Sequence, residues 1–351
     1  MIVKTNVKLN LGLSVLRKRA DGFHDIETLF VPCFDFGDTL EIIAGDDYSR
    51  TSAALFAEYG GQDGCVGKFC DQKENEVDLA QGISEDGKLM ITIARKEGVD
   101  WNPMKDLCAK AYNVLAKDFD LPPVKIFLEK NAPVGAGLGG GSADAAFTLK
   151  ALNELCGLGL SGQRLSEYAS RLGSDCAFFI FNRPMIGSGR GEVLEPYDID
   201  LSEYEIKVLI PEGVSVSTAE AYKGIVPRET RRDGSGEQAS TEPQERCDGS
   251  GEQASTGSPE RCDRFSEQPG NPVVSHLSPT GLGKPAETTG LKSVLAKPVS
   301  EWKDLLVNDF EATVFKAHPE LAAIKQSLYD SGATYASMSG SGSALFALYK
   351  K

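Results

Sequence analysis

At 351 residues the chain is longer than a single hydrophobic core usually grows, so two domains are the first expectation. Its 41% hydrophobic and 25% charged residues are ordinary for a soluble globular protein. A formal net charge of -14 excludes binding of nucleic acid or an anionic membrane through the overall field, so any phosphate must be held locally.

From Val7 the residues alternate, with Val7, Leu9, Leu11 and Leu13 on one face and Asn6, Lys8 and Asn10 on the other, the period of a half-buried strand. Lys8 and Asn10 therefore project the same way. A polar turn around Asp21 and Gly22 leads into an apolar stretch from Ile26 to Phe36 that reads as a second strand, with Phe23 and His24 at the junction. Residues 45–88 give no clean period and are expected to be loops with short strands. Apolar residues recur at helical spacing from Asp106 to Phe119. Val124 to Lys130 then reads as a strand, a glycine-rich turn follows, and Ser142 to Leu155 reads as a helix. Another helix is expected at about Ser161 to Leu172, ending at Gly173. The runs Cys176-Ala-Phe-Phe-Ile-Phe181 and Ile206 to Ile210 are both strand-like.

Between Pro227 and about Gly290 the composition shifts to Gly, Ser, Pro, Gln and Glu, and Asp-Gly-Ser-Gly-Glu-Gln-Ala-Ser-Thr occurs at 233–241 and again at 248–256. Neither copy carries enough apolar surface to offset its ordering entropy, so residues at about 228–290 are expected to be a disordered insertion rather than a solenoid. Beyond it, Trp302 to Tyr329 reads as helical with a break at Pro319, and Tyr335 to Tyr349 as a Gly-Ser turn entering a strand. No run is long enough to span a bilayer, and no secretory leader is evident, which leads to the expectation of a cytoplasmic protein. The eight cysteines form no dense framework, the closely spaced Cys65 and Cys70 lack CxxC spacing, and all read as mostly reduced thiols. His276 and His318 read as structural.

The stretch from Pro133 to Ala146 carries the chemistry. Gly135, Gly137 and Gly140 satisfy GxGxxG, but the second parallel strand with its acidic end, which a dinucleotide fold needs, is missing. Gly135 and Gly140 also have Walker spacing, yet Gly141 stands where the Lys belongs. Both standard nucleotide motifs fail on detail. What remains is physical: a dense glycine run lets backbone N–H groups approach a polyphosphate, with the positive end of the following helix beneath them. Asp144, in the first helical turn, reads as a surface charge that complements the dipole. Taken alone, Asp175 reads as a turn-former, Lys8 as the exposed face of a strand, Phe23 as core and His24 as surface.

The loop closely resembles the second signature motif of the GHMP kinases. The longer Leu138-Gly-Gly-Gly-Ser142 form, with Lys8-Leu-Asn10, Arg19-Ala-Asp-Gly-Phe-His24, Leu172-Gly-Ser-Asp175 and Ser339-Gly-Ser-Gly342, is similar to the branch whose substrate is a cytidyl-diphosphate ester of a branched sugar alcohol. The resemblance implies an α+β fold with an N-terminal ribosomal-S5-domain-2-like ATP domain, residues 1–200, and a ferredoxin-like C-terminal domain, residues 201–351. It implies phosphorylation of a tertiary alcohol by ATP with Mg²⁺. The ATP would lie on Pro133, Gly135, Gly137, Leu138, Gly139, Gly140, Gly141 and Ser142. Asp175 would take the hydroxyl proton, Lys8 would stand beside it, and Asn10 would hold the acceptor. His24 would read the cytosine edge, Phe23 and Tyr222 would sandwich its ring, and Thr218 would touch the substrate. Two positions depart from the pattern: Asp106 replaces the usual Asn of the adenine pocket, and Ser174 the usual Ala before the catalytic Asp. Rival readings are a GHMP kinase for mevalonate or homoserine, an inactive GHMP-fold binding protein, and a dinucleotide oxidoreductase.

Overall fold

The computed structural model describes residues 1–45, 66–70, 76–230 and 290–351, all within one compact unit. The repeats, His276 and all but the ends of the expected insertion lie outside these residues, as does much of 45–75. The strands are β1 (Ile2–Lys4), β2 (Val7–Lys18), β3 (His24–Cys33), β4 (Thr39–Ala44), β5 (Val66–Cys70), β6 (Glu76–Ile83), β7 (Leu89–Arg95), β8 (Val124–Lys130), β9 (Met185–Ser188), β10 (Val193–Pro196), β11 (Tyr204–Leu209), β12 (Tyr335–Met338) and β13 (Leu345–Lys350). The α-helices are α1 (Leu107–Ala116), α2 (Gly140–Leu155), α3 (Gly162–Ser170), α4 (Cys176–Phe181), α5 (Thr218–Tyr222), α6 (Leu291–Leu295), α7 (Glu311–Ala317) and α8 (Pro319–Asp330).

These elements make an α+β fold of three sheets. The first runs β1-β4-β8-β7-β6-β5 and is antiparallel except where β7 meets β8. The second, β10-β9-β3-β2, and the third, β11-β13-β12, are antiparallel throughout. Helices α1, α2 and α4 bury their apolar residues with Leu40, Ile42, Ile91 and Ile126 of the first sheet. A second core joins Val7, Leu9 and Leu11 to Trp302, Tyr335 and Phe346, and a third joins Leu13 and Val15 to Phe310, Val314 and Met338. Strand β2 therefore contributes to two cores, and its partner β3 places Phe30 in the first. A register shift between Leu11 and Leu13 hands the strand from one core to the next.

Three expectations are corrected here. Strand β2 is buried on both faces from Val7 to Val15, because Lys8 and Asn10, on the side that alternation predicts to be exposed, lie against the glycine loop and the turn after β12. Lys8 is 3% exposed and Asn10 is 2% exposed. The run Cys176–Phe181 is a helix; its first five residues are all buried, and a short run apolar all round has no period by which a strand differs from a helix. The stretch from Trp302 to Tyr329 is two helices, Glu311–Ala317 and Pro319–Asp330, entered through a non-helical segment that runs along β2, with Leu13 N donating to Val307 O and Asp309 N to Leu13 O.

Candidate active site

The loop between β8 and α2 owes its shape to its glycines. At Gly137, φ is +77°, and an added Cβ would overlap the carbonyl oxygen of Ser339 and lie 2.9 Å from Gly342 N. The loop thus lies directly on the turn between β12 and β13. Both flanks are tied down: Lys8 N donates to Leu138 O at 2.9 Å and Ala344 N to Ala136 O at 3.1 Å. Helix α2 begins at Gly140 with no side-chain cap, so the amides of its first turn and the positive end of its dipole remain available beside the loop.

Beneath the loop lies a buried ion cluster. Lys130 Nζ donates to Asp38 Oδ2 and, at 2.7 Å, to Asp144 Oδ2. The other oxygen of Asp38 accepts from Asn131 N at 2.6 Å and Ala132 N at 2.7 Å, fixing the chain as it leaves β8. Thr5 Oγ1 accepts from Asp38 N at 2.9 Å and donates to Asp144 Oδ1 at 3.1 Å. Asp144 is therefore no surface charge: it is 1% exposed. Burial pushes its carboxyl up to about 8, against the opposing pull of Lys130. An Asp set among Ala143, Ala145 and Ala146 on a buried helix face is the sequence signal that points to this.

The cleft above the loop, of about 1120 Å³, brings Lys8, Asn10 and Asp175 together. Lys8 Nζ donates to Asn10 Oδ1 at 2.5 Å and to Gly137 O at 2.9 Å, and lies 3.4 Å from Asp175 Oδ2. Asn10 Nδ2 in turn donates to Thr28 Oγ1 at 3.1 Å. Asp175 precedes α4 with its side chain 31% exposed, against 4% for Lys8. A buried ammonium touching a half-open carboxylate is an arrangement for moving a proton and steadying the oxygen that loses it.

At one end of the cleft lie His24, Phe23 and Tyr222, the three residues that the family resemblance assigns to the cytosine ring. His24 itself stacks on Tyr222, with ring centroids 4.6 Å apart and planes at 18°, because the two part-buried rings cover each other's apolar faces. Phe23 stands apart, 54% exposed, under the guanidinium of Arg190 at 5.1 Å. Burial, with the Lys18 charge, holds the His24 imidazole below its ordinary value. Burial first, then the charge of Asp175, raises the Tyr222 hydroxyl to about 12. Thr218 opens α5, 3.4 Å from the Ser341 hydroxyl. At the other end Asp106 caps α1: Oδ1 accepts from Cys108 N at 2.8 Å and Oδ2 from Trp101 Nε1 at 3.1 Å. The departure at 106 therefore serves as an N-cap, a place Asp fills as well as Asn.

Asn308 was not legible in the sequence. It is 2% exposed, and its Nδ2 donates to both Met338 O and Gly340 O at 2.8 Å, holding the turn against which Gly137 rests. An Asn within an apparently helical run gives no sign of this.

Residues 106–183 match the GHMP kinases N terminal domain and residues 291–351 the GHMP kinases C terminal domain. The 4-diphosphocytidyl-2-C-methyl-D-erythritol kinase of Parabacteroides distasonis is 35% identical over 351 residues, covering 100% of this chain and 92% of that protein. The Bacteroides fragilis enzyme of the same name is 36% identical over 349 residues, covering 99% and 92%. A crystal structure of 4-(cytidine 5'-diphospho)-2C-methyl-D-erythritol kinase superposes with a TM-score of 0.58 at 23% identity, over 99% of this chain and 90% of that one. Homoserine kinase from Cytophaga hutchinsonii superposes at 0.53 with 14% identity, over 99% and 86%. These two superpositions speak to the fold alone.

Proposed function

This chain belongs to the GHMP kinase family, among its 4-diphosphocytidyl-2-C-methyl-D-erythritol kinases, and we propose that it phosphorylates the tertiary 2-hydroxyl of that diphosphocytidyl alcohol with ATP, in the non-mevalonate route to isoprenoid precursors. The observation that carries the reading is the pairing of Lys8 Nζ with Asp175 Oδ2 at 3.4 Å in a cleft floored by the glycine loop. Asp175 takes the hydroxyl proton; the oxygen forms its bond to the γ-phosphorus as the bond to the β,γ-bridging oxygen breaks, and ADP leaves with that electron pair. Lys8, locked by Asn10 and Gly137, steadies the charge on the attacking oxygen without needing to reorganise.

The glycine loop, from Pro133 to Ser142, and the first turn of α2 supply backbone amides for the ATP phosphates. His24 and Tyr222, at the far end, supply an edge and a face for cytosine, with Phe23 the second face once His24 leaves Tyr222. Asn10 holds the acceptor, and Thr218 touches the substrate. We assign residues 1–200 to an ATP-holding domain and 201–351 to a second domain, a division supported by the separate sheet of β11, β12 and β13.

Mg²⁺ is expected with ATP. The cleft's carboxylates are already engaged, Asp106 with Trp101 and Asp175 with Lys8, and among the described residues no group of three or more acidic, His or Cys side chains forms a cage. No dedicated protein site fits the ion, so it enters on the ATP phosphates and no step is derived through it. A cytoplasmic location is supported by free thiols at Cys33, Cys108, Cys156 and Cys176; no described helix is long and apolar enough to cross a membrane.

ADP release measured across a panel of alcohols tests the assignment. Turnover of the diphosphocytidyl alcohol, and not of mevalonate or homoserine, is expected; the reverse preference would overturn it.

A further inference from the structure

Four permanent cations line the cleft among the described residues: Lys8, Lys105, Lys130 and Arg190. Two are neutralised within the fold. Lys8 is spent on Asp175 and two carbonyl oxygens, and Lys130 lies between Asp38 and Asp144. Lys105 stands beside Trp101 and Asp106, at the opposite end from His24 and Tyr222. Arg190 alone combines a position at the His24 end with a lightly engaged charge, since its guanidinium meets Glu192 only through Nε at 3.5 Å.

The backbone that carries Arg190 is fixed between the two ends of the proposed substrate path. On one side Gly189 O accepts from Ile26 N at 2.7 Å, two residues past His24. On the other, a Cβ placed on Gly191 would lie 3.8 Å from Ser174 Cβ, and Ser174 immediately precedes Asp175. A ligand stretched from His24 to Asp175 therefore passes Arg190. His24 adds no positive charge there, since burial and Lys18 both disfavour its protonation, and Asp175 adds a negative one.

From this placement we infer that Arg190 is the substrate-binding cation for the diphosphate of a cytidyl-diphosphate ligand, and that its stacking on Phe23 couples the diphosphate contact to the base contact. The inference rests on the cytidyl reading of the site given above. A guanidinium suits the task, because its planar fork of donors matches paired phosphate oxygens while its face remains on the Phe23 ring.

The test is calorimetric titration of the full chain with cytidine and, separately, with cytidine diphosphate. In R190Q the affinity for cytidine diphosphate is expected to fall about 10- to 100-fold, the scale of a charge-assisted hydrogen-bonded contact, with cytidine changed less than about twofold. R190K should recover part of the loss, because it restores charge without the fork. Equal weakening of both ligands would overturn the assignment and leave Arg190 a prop for Phe23; unchanged cytidine diphosphate binding would overturn it outright. Wild-type protein that bound neither ligand would overturn the cytidyl reading itself, and the assignment with it.

Discussion

Replacing Gly137 with Ala perturbs the phosphate loop at the point where its tolerance is smallest. Two costs are separable. The backbone at φ +77° disfavours any L side chain by about 1–2 kcal/mol. The new methyl would also overlap Ser339 O and crowd Gly342 N at 2.9 Å, and both atoms are backbone, so relief requires moving the whole turn after β12; overpacking of this kind costs about 1–3 kcal/mol. The expected loss is therefore about 2–5 kcal/mol, a large share of the ~5–15 kcal/mol that ordinarily holds a fold together. Gly135 is the internal control: its φ is +75°, but the nearest atom to an added Cβ is Ser215 Oγ at 3.8 Å, so only the first cost applies. Urea unfolding followed by tryptophan fluorescence should show a larger drop for Gly137→Ala than for Gly135→Ala, by about 1–3 kcal/mol. Since the same movement displaces Leu138 from Lys8, the ATP affinity of the Gly137 variant should fall as well. Equal midpoints for the two variants would refute the claim that contact between loop and turn, rather than backbone conformation, governs this site.

Asp175→Asn is expected to retain ATP binding while losing about 10²-fold or more in turnover, the usual scale for a general base; single-turnover kinetics with normal rates would reduce Asp175 to a turn residue. Tyr222→Leu should weaken cytidine by about 10- to 100-fold and Tyr222→Phe hardly at all, because the proposed contact is made by the ring; equal losses in titration would shift the role to the hydroxyl. Asp38→Ala leaves two buried amides without their acceptor and takes from Lys130 one of its two carboxyl partners, and should destabilise the protein by about 3–5 kcal/mol in urea. The Asp144 carboxyl, raised to about 8 in the folded protein against about 4 unfolded, holds its proton through that window only when folded. Its contribution to stability is thus fully present below pH ~4 and lost as pH rises toward ~8. Wild-type stability relative to Asp144→Asn should decline across that range, and parallel curves would show that Asp144 ionises normally.

Much of the site was legible because its chemistry is written locally. The glycine run between a strand and a helix announced backbone exposed to an anion, and Lys8 and Asn10 shared a face by simple alternation. The proximity of Lys8 to Asp175, separated by most of the N-terminal half of the chain, followed only from family resemblance; no periodicity encodes it. Burial was the recurring blind spot. Alternation along β2 promised one wet face, but coverage by the glycine loop and the turn after β12 is a tertiary event. The same blindness turned Asp144 into a surface charge. At Cys176–Phe181 an all-apolar run erased the very period by which strand and helix are told apart. Asn308 lies in a run that reads as helical and Arg190 carries no local signal, and the importance of both depends on what other parts of the chain bring beside them.

The place of Lys8 and Asn10 on β2 also bears on how the protein breathes. Val7, Leu9 and Leu11 are anchored in one core, Leu13 and Val15 in another, and the neighbouring strand reaches the third through Phe30. The amides around Lys8 are therefore expected to exchange with solvent only by global unfolding, whereas binding residues are commonly drawn from segments that open by themselves. Selection for a rigid phosphoryl-transfer floor and selection for a stable fold therefore act on the same dozen residues. A substitution in β2 that loosens packing is paid for twice, in lifetime and in turnover.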